Sequence, residues 1–140
     1  MGSRRLVAGL AAVVTALVAP SAGTAEVRGT MAPSSRLQVA LLDQLNALRA
    51  SRGLPQLRLS SSLSAAANQH SNEMARRGYF SHDSANGSSF SARVQRYYSP
   101  RGFHSWAIGE NLLWASPNVG ALQALKLWLA SPPHRENLLS

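Results

Sequence analysis

The sequence contains no cysteine, few acidic residues and no long hydrophobic run. Among its 140 residues, the absence of cysteine excludes a disulfide-stabilised scaffold, a zinc finger and a thiol nucleophile. No apolar stretch reaches the roughly 18 residues typical of a membrane-spanning helix. The chain has 6 Asp and Glu against 14 Lys and Arg, which gives a net charge of +8. We therefore expect one basic domain with few carboxylates available for a functional site.

The N-terminal residues 1–25 have the pattern of a secretory signal peptide. Arg4 and Arg5 form a charged start, and Leu6–Val18 is an apolar segment too short to span a bilayer. Small residues then occupy the positions before a cleavage site after Ala25. An uncleaved membrane-anchoring helix is the alternative interpretation. The order of the signal regions favours cleavage, by the general (Sec) or the twin-arginine (Tat) route, and a bacterial protein that is secreted without a transmembrane span.

Helical periodicity divides the remaining chain into a flexible leader at residues 26–36 and a domain at residues 37–140. The leader lacks periodicity, and residues 79–105 are rich in turn-forming pairs. The predicted elements are a helix from Leu37 to about Arg52, a helix from Ser61 to Arg77 between a serine N-cap and Gly78, a strand at Trp106–Trp114, and a helix at Asn118–Ala130 that ends at Ser131-Pro132-Pro133.

Familiar catalytic signatures are absent, which leaves histidines and acids as the candidate functional residues. His82, in the loop after the second helix, can carry a proton near neutral pH or bind a metal, or it is an ordinary surface histidine. Glu110 lies in an apolar neighbourhood, where a carboxylate needs a cation or donor; a structural carboxylate bound to backbone N–H groups is the alternative. His134 follows the last helix, where a charged imidazole is also favoured by the helix dipole. His70 is predicted to pack on an apolar stripe.

Seven short motifs follow one another in order along nearly the whole predicted domain. They are L-x-x-x-N-x-x-R at Leu42–Arg49, G-L-P-Q-L at Gly53–Leu57, L-x-x-A-A-x-x-H-S-x-x-M-A at Leu63–Ala75, Y-F-S-H at Tyr79–His82, N-G-S-S-F at Asn86–Phe90 with Arg93, G-E-N-L at Gly109–Leu112, and W-L-A-S-P-P-H-R at Trp128–Arg135. Together they resemble the CAP superfamily of cysteine-rich secretory, antigen-five and pathogenesis-related proteins, in its bacterial SCP-like extracellular branch.

The resemblance implies an α+β fold, an α-β-α sandwich in which helices cover a small antiparallel sheet. It also implies a cleft with two histidines and two acids, which binds zinc in some members. His82 matches the first histidine and Glu110 the first acid, while the position of the second acid, shortly after Trp128, is not filled. His134 stands in the S-P-x-H-R segment of the bacterial relatives. Because the family continues with further strands, this domain is expected to be C-terminally incomplete.

These observations predict a secreted CAP protein that is a binding module rather than an enzyme, and no catalytic residue is assigned. Its cleft near His82 and Glu110 would hold a lipid, a glycan or a peptide. A zinc-dependent hydrolase, with Zn²⁺ bound by His82, Glu110 and His134, is the first alternative. A structural cell-envelope protein that binds anionic polymers through its positive charge is the second. Nucleic acid is not an expected partner of an exported chain.

Overall fold

A computed structural model describes residues 33–99 and 106–140, with side chains from residue 36 onward. The elements in chain order are α1 (Pro33–Ala50), α2 (Ser61–Arg77), α3 (Phe90–Gln95), α4 (Ala121–Ala130) and α5 (Pro132–Leu139). The predicted signal peptide at residues 1–25 lies outside the described residues, as do residues 26–32 of the predicted leader. The last four residues of that leader belong to α1, which therefore begins earlier than its leucine spacing predicts.

The predicted α-β-α sandwich is wrong for this structure, because the described residues form helices and no β-strand. The segment Trp106–Trp114, predicted to be a strand, has no regular secondary structure. A strand requires a partner backbone, whereas carbonyl groups of this segment accept hydrogen bonds from helix side chains. Trp128 Nε1 donates to the carbonyl oxygen of Leu112 at 3.0 Å. These side-chain donors replace the hydrogen bonds that a neighbouring strand would supply.

The hydrophobic core lies where α1 packs against α4 and α4 against α5. Trp128 is the largest apolar side chain that is fully buried. The buried members of the cluster are Leu41, Leu45, Leu57, Ala124, Leu125, Trp128 and Leu138. Within each long helix they recur at the three- and four-residue spacing of one helical face. One face of α1 and one face of α4 therefore form the core, while Leu122 of α4 is exposed.

Helix α2 has the ends that the sequence predicts. The hydroxyl oxygen of Ser60, whose backbone is extended, accepts a hydrogen bond from the N–H of Leu63 at 3.4 Å. At the other end, Gly78 has a φ of +70°, in the left-handed region, and its N–H donates to the carbonyl of Met74. His70 is buried on the apolar face of this helix, as its spacing predicts. The loop that carries His82 starts at this fixed end.

Two short helices were not predicted. Helix α3 lies within the turn-rich region, and its N-cap is Ser89, whose hydroxyl accepts from the N–H of Ala92. Helix α4 ends at Ala130 as predicted, but α5 begins at Pro132, where only a stop is expected. Proline is well suited to the first turn of a helix, where its missing N–H costs nothing. No helix in the described part of the chain has the length and hydrophobicity needed to cross a bilayer.

Candidate functional site

His82 and Glu110 lie in contact, although 28 positions separate them in the sequence. The Nδ1 atom of His82 is 3.0 Å from Oε2 of Glu110. The side chain of Glu110 is 3% exposed and that of His82 is 51% exposed. The pair therefore has a buried acidic half and an imidazole half that faces solvent.

Arg93, on α3, is the buried cation that pairs with Glu110. Its side chain is 1% exposed, and its Nη2 donates to Oε1 of Glu110 at 2.5 Å. Its Nη1 donates to the backbone carbonyl of His82 at 2.9 Å and to Oγ of Ser84 at 3.1 Å. A buried charge is tolerated only with such partners. One guanidinium group therefore holds both Glu110 and the loop of His82 in place.

The same loop is attached to α2 by His70 and Glu73. The Nε2 atom of His70 lies 2.8 Å from the carbonyl of Ser81, and because a carbonyl only accepts, Nε2 carries the proton. The hydroxyl of Tyr79 donates to Oε2 of Glu73 at 2.9 Å. This hydrogen bond is the main reason why the pKa of Glu73 is lowered, whereas burial, followed by the hydrogen bond to Glu73, raises the pKa of Tyr79. These contacts fix the residues on the N-terminal side of His82.

Helix α5 fixes the segment of Glu110 in a similar way. Asn111 is fully buried, and its Nδ2 donates to the backbone carbonyl of His134 at 2.9 Å. Asn137 Nδ2 donates to Oδ1 of Asn111 at 2.9 Å and to the carbonyl of Glu110 at 3.4 Å. A side chain at position 109 would place its Cβ 2.9 Å from Oδ1 of Asn137, so any residue other than glycine would force the Asn137 side chain to shift. The G-E-N motif is thus positioned by the two asparagines.

His134, the third predicted site residue, makes contacts elsewhere. Its Nδ1 lies 2.8 Å from Oγ of Ser131, and in the described part of the chain it forms no hydrogen bond with His82 or Glu110. Residues 33–99 and 106–140 also contain no group of three or more His, Cys, Asp and Glu side chains that could hold a metal ion. The Nδ1 atom of His82 and both oxygens of Glu110 already have protein partners. The residues present therefore do not fit a zinc site of this composition.

An open groove of about 590 Å³ lies between the end of α2 and the segment that follows Glu110. Its lining residues are Gly78, Tyr79, Phe80, Leu112, Leu113 and Trp114. Phe80 is 54% exposed and Trp114 is 50% exposed. Phe80 precedes His82 by two positions, and Leu112 follows Glu110 by two, so chain geometry limits each Cα–Cα distance to roughly 7 Å. The groove thus has apolar walls, and the backbone of the His82–Glu110 pair lies close to those walls.

Arg93 is a site residue that the sequence pattern alone does not single out. The apolar surroundings of Glu110 predict that a buried carboxylate there needs a cation or a donor. Arg93 is part of one motif of the resemblance, but no sequence spacing connects it to Glu110. The sequence therefore predicts that Glu110 has a partner. The structure shows that this partner is Arg93.

Comparison with known proteins identifies the family. The model of the CAP family, described as the cysteine-rich secretory protein family, matches residues 42–140. The chain belongs to the CAP family. A solved structure of an extracellular protein containing an SCP domain, from Bacillus anthracis str. Ames, is similar to this CAP chain, with 32% sequence identity and a TM-score of 0.60. The similarity covers 81% of the CAP chain and 38% of the Bacillus anthracis chain. Curated protein sequences give no significant match.

Proposed function

We propose that this CAP protein is an exported binding module whose groove holds the apolar part of a small ligand. The observation that carries the proposal is the apolar lining of the groove, with Phe80 and Trp114 both about half exposed. Covering such aromatic surface removes it from water, which is the main driving force for ligand binding in pockets of this kind. The signal-like residues 1–25 and the extracellular SCP protein from Bacillus anthracis support export.

The His82–Glu110 pair supplies the polar part of the proposed site. Binding pockets combine apolar walls with a small number of fixed polar groups that orient the ligand. His82 is half exposed, while Glu110 and Arg93 below it are buried and charged. The imidazole is therefore the polar group of this cluster that a ligand can reach.

The contacts around His82 favour binding over nucleophilic catalysis. A serine nucleophile requires its hydroxyl within hydrogen-bond reach of the base. The Oγ of Ser81 accepts a hydrogen bond from the N–H of Asp83, and the Oγ of Ser84 accepts one from Arg93. Neither of these two serines donates to the imidazole of His82 among the described contacts. The arrangement is thus suited to contact with a ligand, and His82 activates neither Ser81 nor Ser84.

Titration with dansyl-undecanoic acid, followed by its fluorescence, tests the proposal. We expect saturable binding by the full chain, weakened about fivefold in Phe80→Ala because about 1 kcal/mol of apolar contact is lost. Leu59→Ala is the matched control, since Leu59 is 51% exposed and does not line the groove. Its affinity should equal that of the unchanged protein. Absence of saturable binding, or equal affinities for both variants, would contradict the proposal.

A further inference from the structure

The buried imidazole of His70 has one nitrogen with a hydrogen-bond partner and one without. Its Nε2 donates to the backbone carbonyl of Ser81 at 2.8 Å, so in the neutral ring Nδ1 carries no proton and can only accept. This Nδ1 is buried and has no hydrogen-bond partner among the described residues. A buried polar atom without a partner is rare in folded proteins, so its surroundings need an explanation.

The group that faces this bare nitrogen is a carboxylate. Oε2 of Glu73, one turn further along α2, lies 3.8 Å from Nδ1 of His70. The same oxygen accepts hydrogen bonds from the hydroxyl of Tyr79 at 2.9 Å and from the N–H of Ala85 at 3.4 Å. The hydrogen bond from Tyr79 is the main cause of the lowered pKa of Glu73, so this carboxylate stays ionised in mild acid. A neutral imidazole and the ionised carboxylate thus present two acceptors to each other with no proton between them.

We infer that His70 is a proton-operated clamp between α2 and the loop at residues 79–85. A proton taken from solvent at Nδ1 makes this nitrogen a charged donor that faces Glu73. The distance of 3.8 Å then has to shorten by only about 0.8 Å to reach an ordinary hydrogen-bond length. The charged ring holds the loop at the carbonyl of Ser81 through Nε2, and through Glu73 at Tyr79 and Ala85. The loop that carries His82 therefore gains, in mild acid, an ion pair that it lacks at about pH 8.

The other charged groups near this imidazole leave Oε2 of Glu73 as its partner. On α2, Nε of Arg77 lies 3.9 Å from the opposite oxygen, Oε1, and the Arg77 side chain is 66% exposed. On the loop, the ring of Tyr79 meets the imidazole edge-on, with 6.2 Å between the ring centroids. The remaining charged or titratable side chains of the loop and of α3, which packs against α2, either bond to Glu110 or are exposed; they are His82, Arg93, Asp83, Arg96 and Tyr97.

Nuclear magnetic resonance of the full chain at a series of pH values tests the clamp. At about pH 8 we expect His70 to show a protonated Nε2 and a bare Nδ1, and at about pH 5 two protonated nitrogens. The N–H resonance of Ala85, which donates to Glu73, should change with pH along the same curve as the His70 ring. Ordinary carboxyl groups are ionised throughout this range and do not produce such a curve. A ring that keeps one proton at about pH 5 in the folded protein, or an Ala85 resonance that does not follow the ring, would overturn the inference.

Two variants identify the group to which Ala85 responds. In His70→Gln the side-chain amide can still donate to the carbonyl of Ser81 but does not titrate, so the response of Ala85 between about pH 5 and pH 8 should disappear. His82→Ala is the matched control, because His82 is close to Ala85 in sequence but its imidazole bonds to Glu110. The response should persist in this control. A response that survives in His70→Gln, or that is lost in His82→Ala, would contradict the clamp, and the titration of the unchanged protein decides the matter even where a variant does not fold.

Discussion

Replacement of Arg93 by methionine tests whether one buried guanidinium holds the site together. Methionine keeps an unbranched, flexible side chain but removes the charge and every donated hydrogen bond. In the structure these bonds reach Glu110, the backbone of His82 and Ser84. The variant would leave the carboxylate of Glu110 buried, at 3% exposure, without its guanidinium partner.

The expected loss of stability follows from this burial. Removing one partner of a buried ion pair costs about 3–5 kcal/mol, because the remaining charge is left in a poorly solvated position. The hydrogen bond from His82 to Glu110 remains and compensates in part, so we expect the lower end, about 3 kcal/mol. Domains of this size are commonly stable by about 5–15 kcal/mol, so the variant should lose a large fraction of its folding free energy.

Urea unfolding followed by tryptophan fluorescence measures this loss, since Trp128 is buried in the core. Arg96→Met is the matched control, because Arg96 is exposed and bonds only to Ser88 among the described side chains. It should cost less than about 1 kcal/mol. The double variant Arg93→Met/Glu110→Leu should recover most of the stability, since both charges are removed. A loss in Arg93→Met no greater than that in Arg96→Met would refute the reasoning.

Two further variants test the contacts on either side of the site. The lowered pKa of Glu73 means that its ionised form stabilises the fold above the ordinary carboxyl pKa of 4.5, and that this contribution disappears as the pH falls through the lower folded value. Tyr79→Phe should therefore reduce the drop in Tm between pH 7 and pH 3, and an unchanged drop would exclude this hydrogen bond as its source. Gly109→Ala should displace the Asn137 side chain and lower the free energy of unfolding by about 1–2 kcal/mol, measured by urea unfolding. An unchanged free energy of unfolding would show that the short distance between Gly109 and Asn137 does not contribute to stability.

Local signals in the sequence predict the ends of α2 because the determinants of those ends are themselves local. The hydroxyl of Ser60 and the left-handed backbone of Gly78 each act within a few residues. The periodicity of the leucines similarly predicts the buried face of α1. These features need no information about distant parts of the chain, and the structure confirms them.

The elements that sequence reasoning missed depend on tertiary contacts or on ambiguous signals. A six-residue helix such as α3 has little intrinsic stability and requires packing to persist, here through the buried Arg93 and Val94. Ser131 is both the C-cap of α4 and the N-cap of α5, so the following prolines end one helix and begin another. The apolar pattern of Trp106–Trp114 indicates a strand, but such a pattern does not reveal whether a partner strand exists.

The site was only partly predictable for a related reason. The family resemblance predicted that His82 and Glu110 share a cleft, and the structure places their side chains in contact. Nothing in the sequence distance between Glu110 and Arg93 indicates that these two residues pair. The motif of His134 predicts that its imidazole belongs to the site, yet its backbone carbonyl accepts the hydrogen bond from the G-E-N segment. Motifs thus show which residues belong to the site region without specifying which atoms act there.

The absence of a strand in the described residues has a consequence for how the site is held. A strand within a sheet is held by many equivalent backbone hydrogen bonds, whereas the segment around Glu110 is held by a few individual side chains. Arg93, Asn137 and Trp128 come from three different helices, and each supplies a donor to this segment. Each donor bonds a different part of the segment. Loss of one donor should therefore shift the carboxylate of Glu110, whereas a strand in a sheet would keep its position through the remaining backbone hydrogen bonds. The imidazole of His82 bonds to that carboxylate, so the polar half of the proposed site is sensitive to substitutions in helices that do not line the groove.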